Sequence, residues 1–228
     1  MSRPPLLSGR PYDCRTLARN EAFTLIELLV VIGIIVAMAA LMAPAMSFIK
    51  GAGDLGTAGN QVSGLLERSR AYAMSRNTYV WAGLMNMNPG GPLALASVYS
   101  KDGTANTNPS NLVQLGKLIS IDNICLTSLP LPNTGNLTRQ TADTNLGMGA
   151  SSTTFALTKA GVTYTFSKTI GFSSQGVGVT QGFDAIPQII EIGLIASRNT
   201  NTPPTTPPSN VVVLQVSGIT GAVKTYRP

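Results

Sequence analysis

Glu27 is the one charged residue between Glu21 and Lys50, and it stands directly ahead of sixteen residues, 28–43, that carry no charge. A charged side chain at mid-bilayer costs roughly 2.5–3.5 kcal/mol on insertion scales and by default marks function. Near a helix start the cost falls, because the helix dipole favours an anion there. The chemistry open to such a carboxylate is pairing with a cation. Buried charges are strongly penalised when unpaired, so a pair of this kind sets register more than raw stability. The plain alternative is a solvated acid in the first turn of a helix.

The rest of the chain offers little reactive chemistry. It contains no histidine, which removes Ser-His-Asp triads, Cys-His pairs and histidine metal sites together. No P-loop is present. Past residue 27 the acids are Asp54, Glu67, Asp102, Asp122, Asp143, Asp184 and Glu191. They are too dispersed to read as an acid–base pair, so they are expected as solvated surface charges. Cys14 and Cys125 are the two cysteines. Cys125 reads as a buried small hydrophobe, and one cysteine cannot build a structural zinc site. Gly51-Ala52-Gly53-Asp54-Leu55-Gly56 matches G-x-G-x-x-G, but a dinucleotide fingerprint must follow a strand inside a βαβ unit, and this one follows an apolar helix. The expectation is a protein that is not an enzyme, with no catalytic residue, no metal and no cofactor.

These residues must be carried by a small number of elements. Residues 23–49 would form a helix of about 40 Å, longer than the roughly 30 Å hydrocarbon core of a bilayer. Residues 1–22 have Arg3, Arg10, Arg15 and Arg19 against Asp13 and Glu21, a net positive flank that should stay cytoplasmic. Beyond the apolar run, Leu55, Ala58, Val62, Leu65, Leu66, Ser69, Tyr72 and Ala73 recur at three- and four-residue spacing, with Glu67, Arg68 and Arg70 between them. That spacing predicts an amphipathic helix over 50–77. The glycines of 51–59 cost roughly 1 kcal/mol each against Ala in a helix and predict a weak joint that opens readily. After Asn77 the pattern turns to strands, expected at 78–85, 93–100, 112–124, 153–157, 162–166, 186–196, 211–217 and 222–226. Turn chemistry fills 88–91, 101–111, 130–152 and 198–210, the last with Pro-Pro-Thr-Thr-Pro-Pro. Val216-Ser217-Gly218-Ile219-Thr220-Gly221-Ala222-Val223 reads as a closing hairpin. The fold class is therefore α+β, a long N-terminal and partly transmembrane helix packed on a C-terminal antiparallel β domain, 78–228.

Ala22-Phe23-Thr24-Leu25-Ile26-Glu27 and the apolar run after it resemble the class III signal of type IV pilins and type II secretion pseudopilins. The resemblance implies that a prepilin peptidase cuts between Ala22 and Phe23 and that Phe23 is N-methylated. Ala22 is a tolerated variant of the usual glycine, whereas Glu21 departs from the neutral or basic residue more often found there. Glu27 falls at the family's conserved acid, implying a role in assembly, and Pro44 falls where many type IV pilins carry a helix-kinking proline. Leu65-Leu66-Glu67-Arg68-Ser69-Arg70-Ala71-Tyr72-Ala73-Met74-Ser75-Arg76-Asn77, Ile170-Gly171-Phe172-Ser173-Ser174-Gln175-Gly176 and the terminal 217–223 are similar to segments of GspH/FimT-type minor pseudopilins. The helix end and the Tyr-Arg-Pro tail also resemble protein D of the Verru_Chthon cassettes. Major pseudopilins carry a calcium loop near the C-terminus; nothing acidic follows Glu191, which favours a minor subunit. Residues 86–150 carry no motif that the resemblance extends to, and their role stays open.

The resemblance implies a bacterial inner-membrane protein of single pass, its N-terminus cytoplasmic and its C-terminal domain periplasmic or in an extracytoplasmic filament. Its partners would be the prepilin peptidase, other pilin or pseudopilin subunits, an inner-membrane assembly platform and membrane lipid. Two other readings stand beside it. A DNA-uptake minor pilin would bind DNA, but Lys224 and Arg227 are the one nearby basic pair and the remaining basic residues are scattered, so DNA is not an expected partner. A secreted soluble β domain would be released by ordinary signal peptidase at Ala43-Pro44-Ala45, a passable A-x-A site.

Overall fold

The computed structural model describes residues 24–89, 91–131, 139–149, 151, 153–197 and 210–227; the side chains of 41–53 lie outside that description. The chain forms two compact units, Met1–Ala45 and Met46–Pro228.

Helix α1 runs from Leu25 to Arg76. In the first unit every described helix side chain, 25–40, is exposed, with Leu25 at 81%. Among the described residues no helix is long and apolar enough to cross a membrane. The segment expected to do so, 23–49, includes Phe23 and the side chains of 41–49, which lie outside the described residues.

In the second unit α1 behaves as its periodicity predicts. Leu55, Ala58, Val62, Leu65, Leu66, Ser69 and Ala73 are buried, while Glu67 and Arg68 are exposed. The helix ends on Asn77, whose φ of 49° is left-handed, with the Thr78 amide donating to Ala73 O at 3.0 Å. That bond across the last turn is a Schellman closure, in which Asn is the usual substitute for Gly.

One sheet contains β1 (Val80–Asn86), β2 (Leu93–Ser100), β3 (Leu112–Gln114), β4 (Ile119–Ile121), β9 (Lys168–Phe172) and β10 (Gly178–Val179). Its order is β10-β9-β1-β2-β3, with β4 also on β2. The second sheet has β5 (Ile124–Leu126), β6 (Thr144–Asn145), β11 (Ile189–Ala196), β12 (Val211–Ser217) and β13 (Val223–Tyr226), in the order β13-β12-β11-β5. Pairing among the described strands is antiparallel except for the short β6–β11 contact, which is parallel. A separate hairpin, β7 (Phe155–Lys159) and β8 (Val162–Phe166), closes over the outer face of the first sheet.

Alternation explains the layering. Val80, Ala82 and Leu84 of β1 join Val212, Leu214 and Val216 of β12 and the buried face of α1 in one core. The intervening Trp81 packs with Phe155 and Phe166 beneath the hairpin, and Val211 and Val213 pack with Cys125 and Tyr226 on the far side of the second sheet.

Three expectations need correction. The strand expected over 112–124 is three short strands, because Gly116 (φ 84°) and Asn123 (φ 60°) take left-handed turns that end the ladder. Strands β6, β9 and β10 were not expected; they are short and carry Thr, Asn, Lys or Gly, and neighbouring strands recruit them. The glycine joint is also not uniformly poor in packing. Leu55 and Ala58 are buried, and a Cβ on Gly59 would sit 3.0 Å from Val212 Cγ1. Gly59 therefore permits close approach of helix to sheet.

This separates two glycines of one helix. Among the described residues an added Cβ on Gly56 meets nothing within 4 Å, so Gly56→Ala should stabilise the protein by about 1 kcal/mol through helix propensity. Gly59→Ala gains the same propensity but must displace Val212, at a typical overpacking cost of about 1–3 kcal/mol. Denaturant unfolding should find Gly59→Ala less stable than Gly56→Ala by at least about 1 kcal/mol.

Candidate functional site

The head of α1 is built by Thr24 and Glu27. Thr24 precedes the first helical residue, and its Oγ1 accepts from the Glu27 amide at 3.2 Å. Glu27 Oε2 in turn accepts from the Thr24 amide at 3.3 Å and from the Thr24 hydroxyl at 3.2 Å. This is a capping box, two orphan backbone donors satisfied reciprocally. The carboxylate also lies where the helix dipole favours a negative charge. Thr-x-x-Glu was legible in the sequence as a helix start, a signal the reading of Glu27 as a lone carboxylate passed over. The junction between Ala22 and Phe23 lies outside the described residues. Pro44 lies within the backbone of α1, with its side chain outside the described set.

A second assembly joins segments remote in the sequence. The helix end 65–77, the turn after β9 and the turn between β12 and β13 all meet at Arg70. Gly176 (φ 82°) and Gly221 (φ 66°) are both left-handed. A Cβ on Gly176 would lie 2.9 Å from Met74 Sδ and 3.1 Å from Arg70 Nε; one on Gly221 would lie 2.8 Å from Arg70 Cδ and collide with Gly176 O. Both turns thus lie against the Arg70 side chain, and glycine is required twice over, for φ and for space. Among the described residues Arg70 Nε is buried without a hydrogen-bond partner. In the linear pattern Arg70 stands among the polar residues between apolar positions, and the glycines in both motifs are the signal that something packs there.

The acids are not uniformly solvated, a further correction. Glu191 is 7% exposed; its Oε1 lies 3.3 Å from Arg139 Nε and accepts from Gln215 Nε2 at 3.1 Å. Asp143 accepts from the amides of Gln188 and Ile189. Asp102 Oδ1 gathers the Thr104 amide and the side chains of Ser100, Thr104 and Asn111. These donors hold its carboxyl well below the usual carboxylate range, the Thr104 amide most of all. Cys125 is buried, with no disulfide partner among the described residues, and burial pushes its thiol pKa up while a hydrogen bond with Ser197 opposes the shift.

Among the described residues no group of three His, Cys, Asp or Glu is placed to hold a metal. The G-x-G-x-x-G match lies within α1 and follows no strand. Of the basic pair near the C-terminus, Lys224 Nζ sits 4.9 Å from the Tyr226 ring centroid and Arg227 donates to Asn60 Oδ1 at 2.8 Å. Comparison with family models, curated proteins and solved structures finds no match to the chain.

Two outcomes follow from these contacts. Arg139→Ala leaves the Glu191 carboxylate in place without its ion-pair partner and should cost about 3 kcal/mol in denaturant unfolding. For Asp102 the folded pKa is depressed, so its stabilisation is fully present above the ordinary Asp value of about 3.9, declines progressively as pH falls below it, and is gone once pH has passed the lower folded value. The Thr104 amide resonance should therefore hold its position down to about pH 3, where an unperturbed Asp would already have titrated.

Proposed function

We propose that the chain is a membrane-anchored, pilin-like minor pseudopilin, a subunit of a type II secretion or type IV pilus-like filament processed by a prepilin peptidase. The reading rests on one combination: Ala22-Phe23-Thr24-Leu25-Ile26-Glu27, followed by an apolar helix whose described side chains, 25–40, are all exposed. A helix that is apolar all round requires apolar surroundings. Lipid of the inner membrane supplies them before assembly and neighbouring subunits' helices supply them afterwards. The finer placement as a GspH/FimT-type subunit rests on the helix-end, 170–176 and 217–223 motifs.

In this reading, cleavage between Ala22 and Phe23 creates an ammonium on Phe23, which is then methylated and meets Glu27 of an adjacent subunit. The capping box is compatible with that role. A carboxylate has about four lone-pair sites, and Oε2 is the oxygen engaged by Thr24. Oε1, which no described residue engages, can receive the ammonium while the helix stays capped. The Phe23 end stays at the cytoplasmic side of the membrane, and the β domain is carried outside it.

Mass spectrometry of the membrane fraction should find a mature chain beginning at N-methylated Phe23; a chain beginning at Met46 would overturn the reading. Glu27→Ala removes cap and charge together, so Glu27→Gln is the more informative variant, because Gln also serves in a capping box. Loss of one charge-assisted hydrogen bond should lower filament incorporation about tenfold or more in both variants, read by crosslinking. Normal incorporation of Glu27→Gln would make Glu27 a helix cap and nothing further.

A further inference from the structure

The β domain contains a preformed cleft of about 500 Å³ at the seam between the two sheets. Its floor is fixed by Asn86 of β1. The Asn86 amide donates to Leu126 O at 2.9 Å, and its carbonyl oxygen accepts from the Leu126 amide at 2.8 Å. The side chain imitates a strand partner, stitching one sheet to the other. One wall is equally rigid: Gly147 lies so close to the Thr127 carbonyl that no side chain fits there, and its amide donates to Asn145 Oδ1 at 2.9 Å.

Lys168 is the one charged residue among the described lining. Its ammonium donates to Gly147 O at 3.1 Å and to Gly149 O at 2.6 Å. An ammonium has three donors, and among the described residues two are engaged, which leaves one for a ligand. Met85, Leu126, Met148 and Ile195 supply an apolar part of the lining. A rigid concavity of this volume, part apolar with few placed polar groups, has the character of a small-ligand site. The charge decides the sign of that ligand, since no described carboxylate lines the cleft. Burial pushes the Lys168 pKa down, and an arriving anion would reverse that.

We propose that this cleft binds an organic carboxylate bearing a short apolar group, with Lys168 receiving the carboxylate and Met85, Leu126 and Met148 receiving the apolar part. The site is independent of the filament reading and stands or falls without it.

The test uses the full chain in detergent micelles, titrated with N-acetyl-leucine and, separately, N-acetyl-leucinamide. Amide resonances of Gly147, Gly149 and Lys168 should shift saturably with the acid, and the amide should bind about tenfold more weakly or worse. Lys168→Arg should keep the preference for the acid and Lys168→Gln should abolish it. Because Lys168→Gln also removes two internal hydrogen bonds, the acid-against-amide comparison on the unaltered chain carries the test by itself. Equal binding of acid and amide, or no saturable shift with either, overturns the proposal. A peptide with a C-terminal leucine carboxylate assigns the source: tighter binding than N-acetyl-leucine makes the ligand a chain terminus, and weaker binding makes it a small free carboxylate.

Discussion

Burial of one helix face between two sheets is the interaction on which the rest of the β domain depends. Leu55, Val62, Leu65 and Leu66 of α1 meet Val80, Ala82 and Leu84 of β1 and Val212, Leu214 and Val216 of β12 in a single core. Each fully buried side chain of the Leu or Val type contributes roughly 1.5–3 kcal/mol against exposure. The two sheets form separate ladders, and besides this core they are joined by hydrogen bonds, among them those of Lys168 to Gly147 O and Gly149 O. Asn86 stitches β1 to β5, and the Gly178 amide donates to Gly218 O at 2.7 Å, tying the edge strand β10 to the turn after β12. Without the helix stripe, both inner sheet faces would be open to water. The tolerance at that contact is small, as Gly59 against Val212 illustrates.

The first part of α1 obeys a different constraint. Its described side chains 25–40 are exposed, so its stability as a helix rests on propensity, its surroundings and its start. Thr24 and Glu27 supply the start by satisfying each other's donors. A carboxylate that caps its own helix through one oxygen keeps that helix intact while its other oxygen faces outward, which is what the proposed filament role would require. Capping and intermolecular pairing are therefore compatible uses of one side chain.

Arg70 shows how motif residues acquire their reason. The glycines at 176 and 221 are separated from it by more than a hundred residues in sequence, yet both turns press on its side chain. The same logic accounts for Glu191. An acid in the middle of an apolar strand looks solvated in a linear reading, but it is buried and paired because Arg139 and Gln215 reach it from other segments. Lys168, at the head of a strand the sequence did not announce, owes its position to β1, which pairs with β9.

The chain by itself determined what depends on local periodicity and side-chain chemistry. The amphipathic stripe of 55–73 is legible because i, i+3 and i+4 spacing survives any context. Strands β2, β8 and β12 lie at 93–100, 162–166 and 211–217 as the residues predict, since long β-branched or apolar runs bounded by turns have few alternatives. The absence of histidine and the charge-free run behind Glu27 are equally intrinsic. Tertiary structure alone decided the rest. Residues 144–145, 168–172 and 178–179 are strands because β11, β1 and β9 present edges to them, and nothing in segments of two to five residues encodes a partner. The break of 112–124 depends on left-handed turns at Gly116 and Asn123 that residue type permits but does not compel. The cleft around Lys168 and the packing of Arg70 depend on long-range approach of backbone to side chain, which no spacing in the sequence expresses, because such contacts are set by where the two sheets close on one helix.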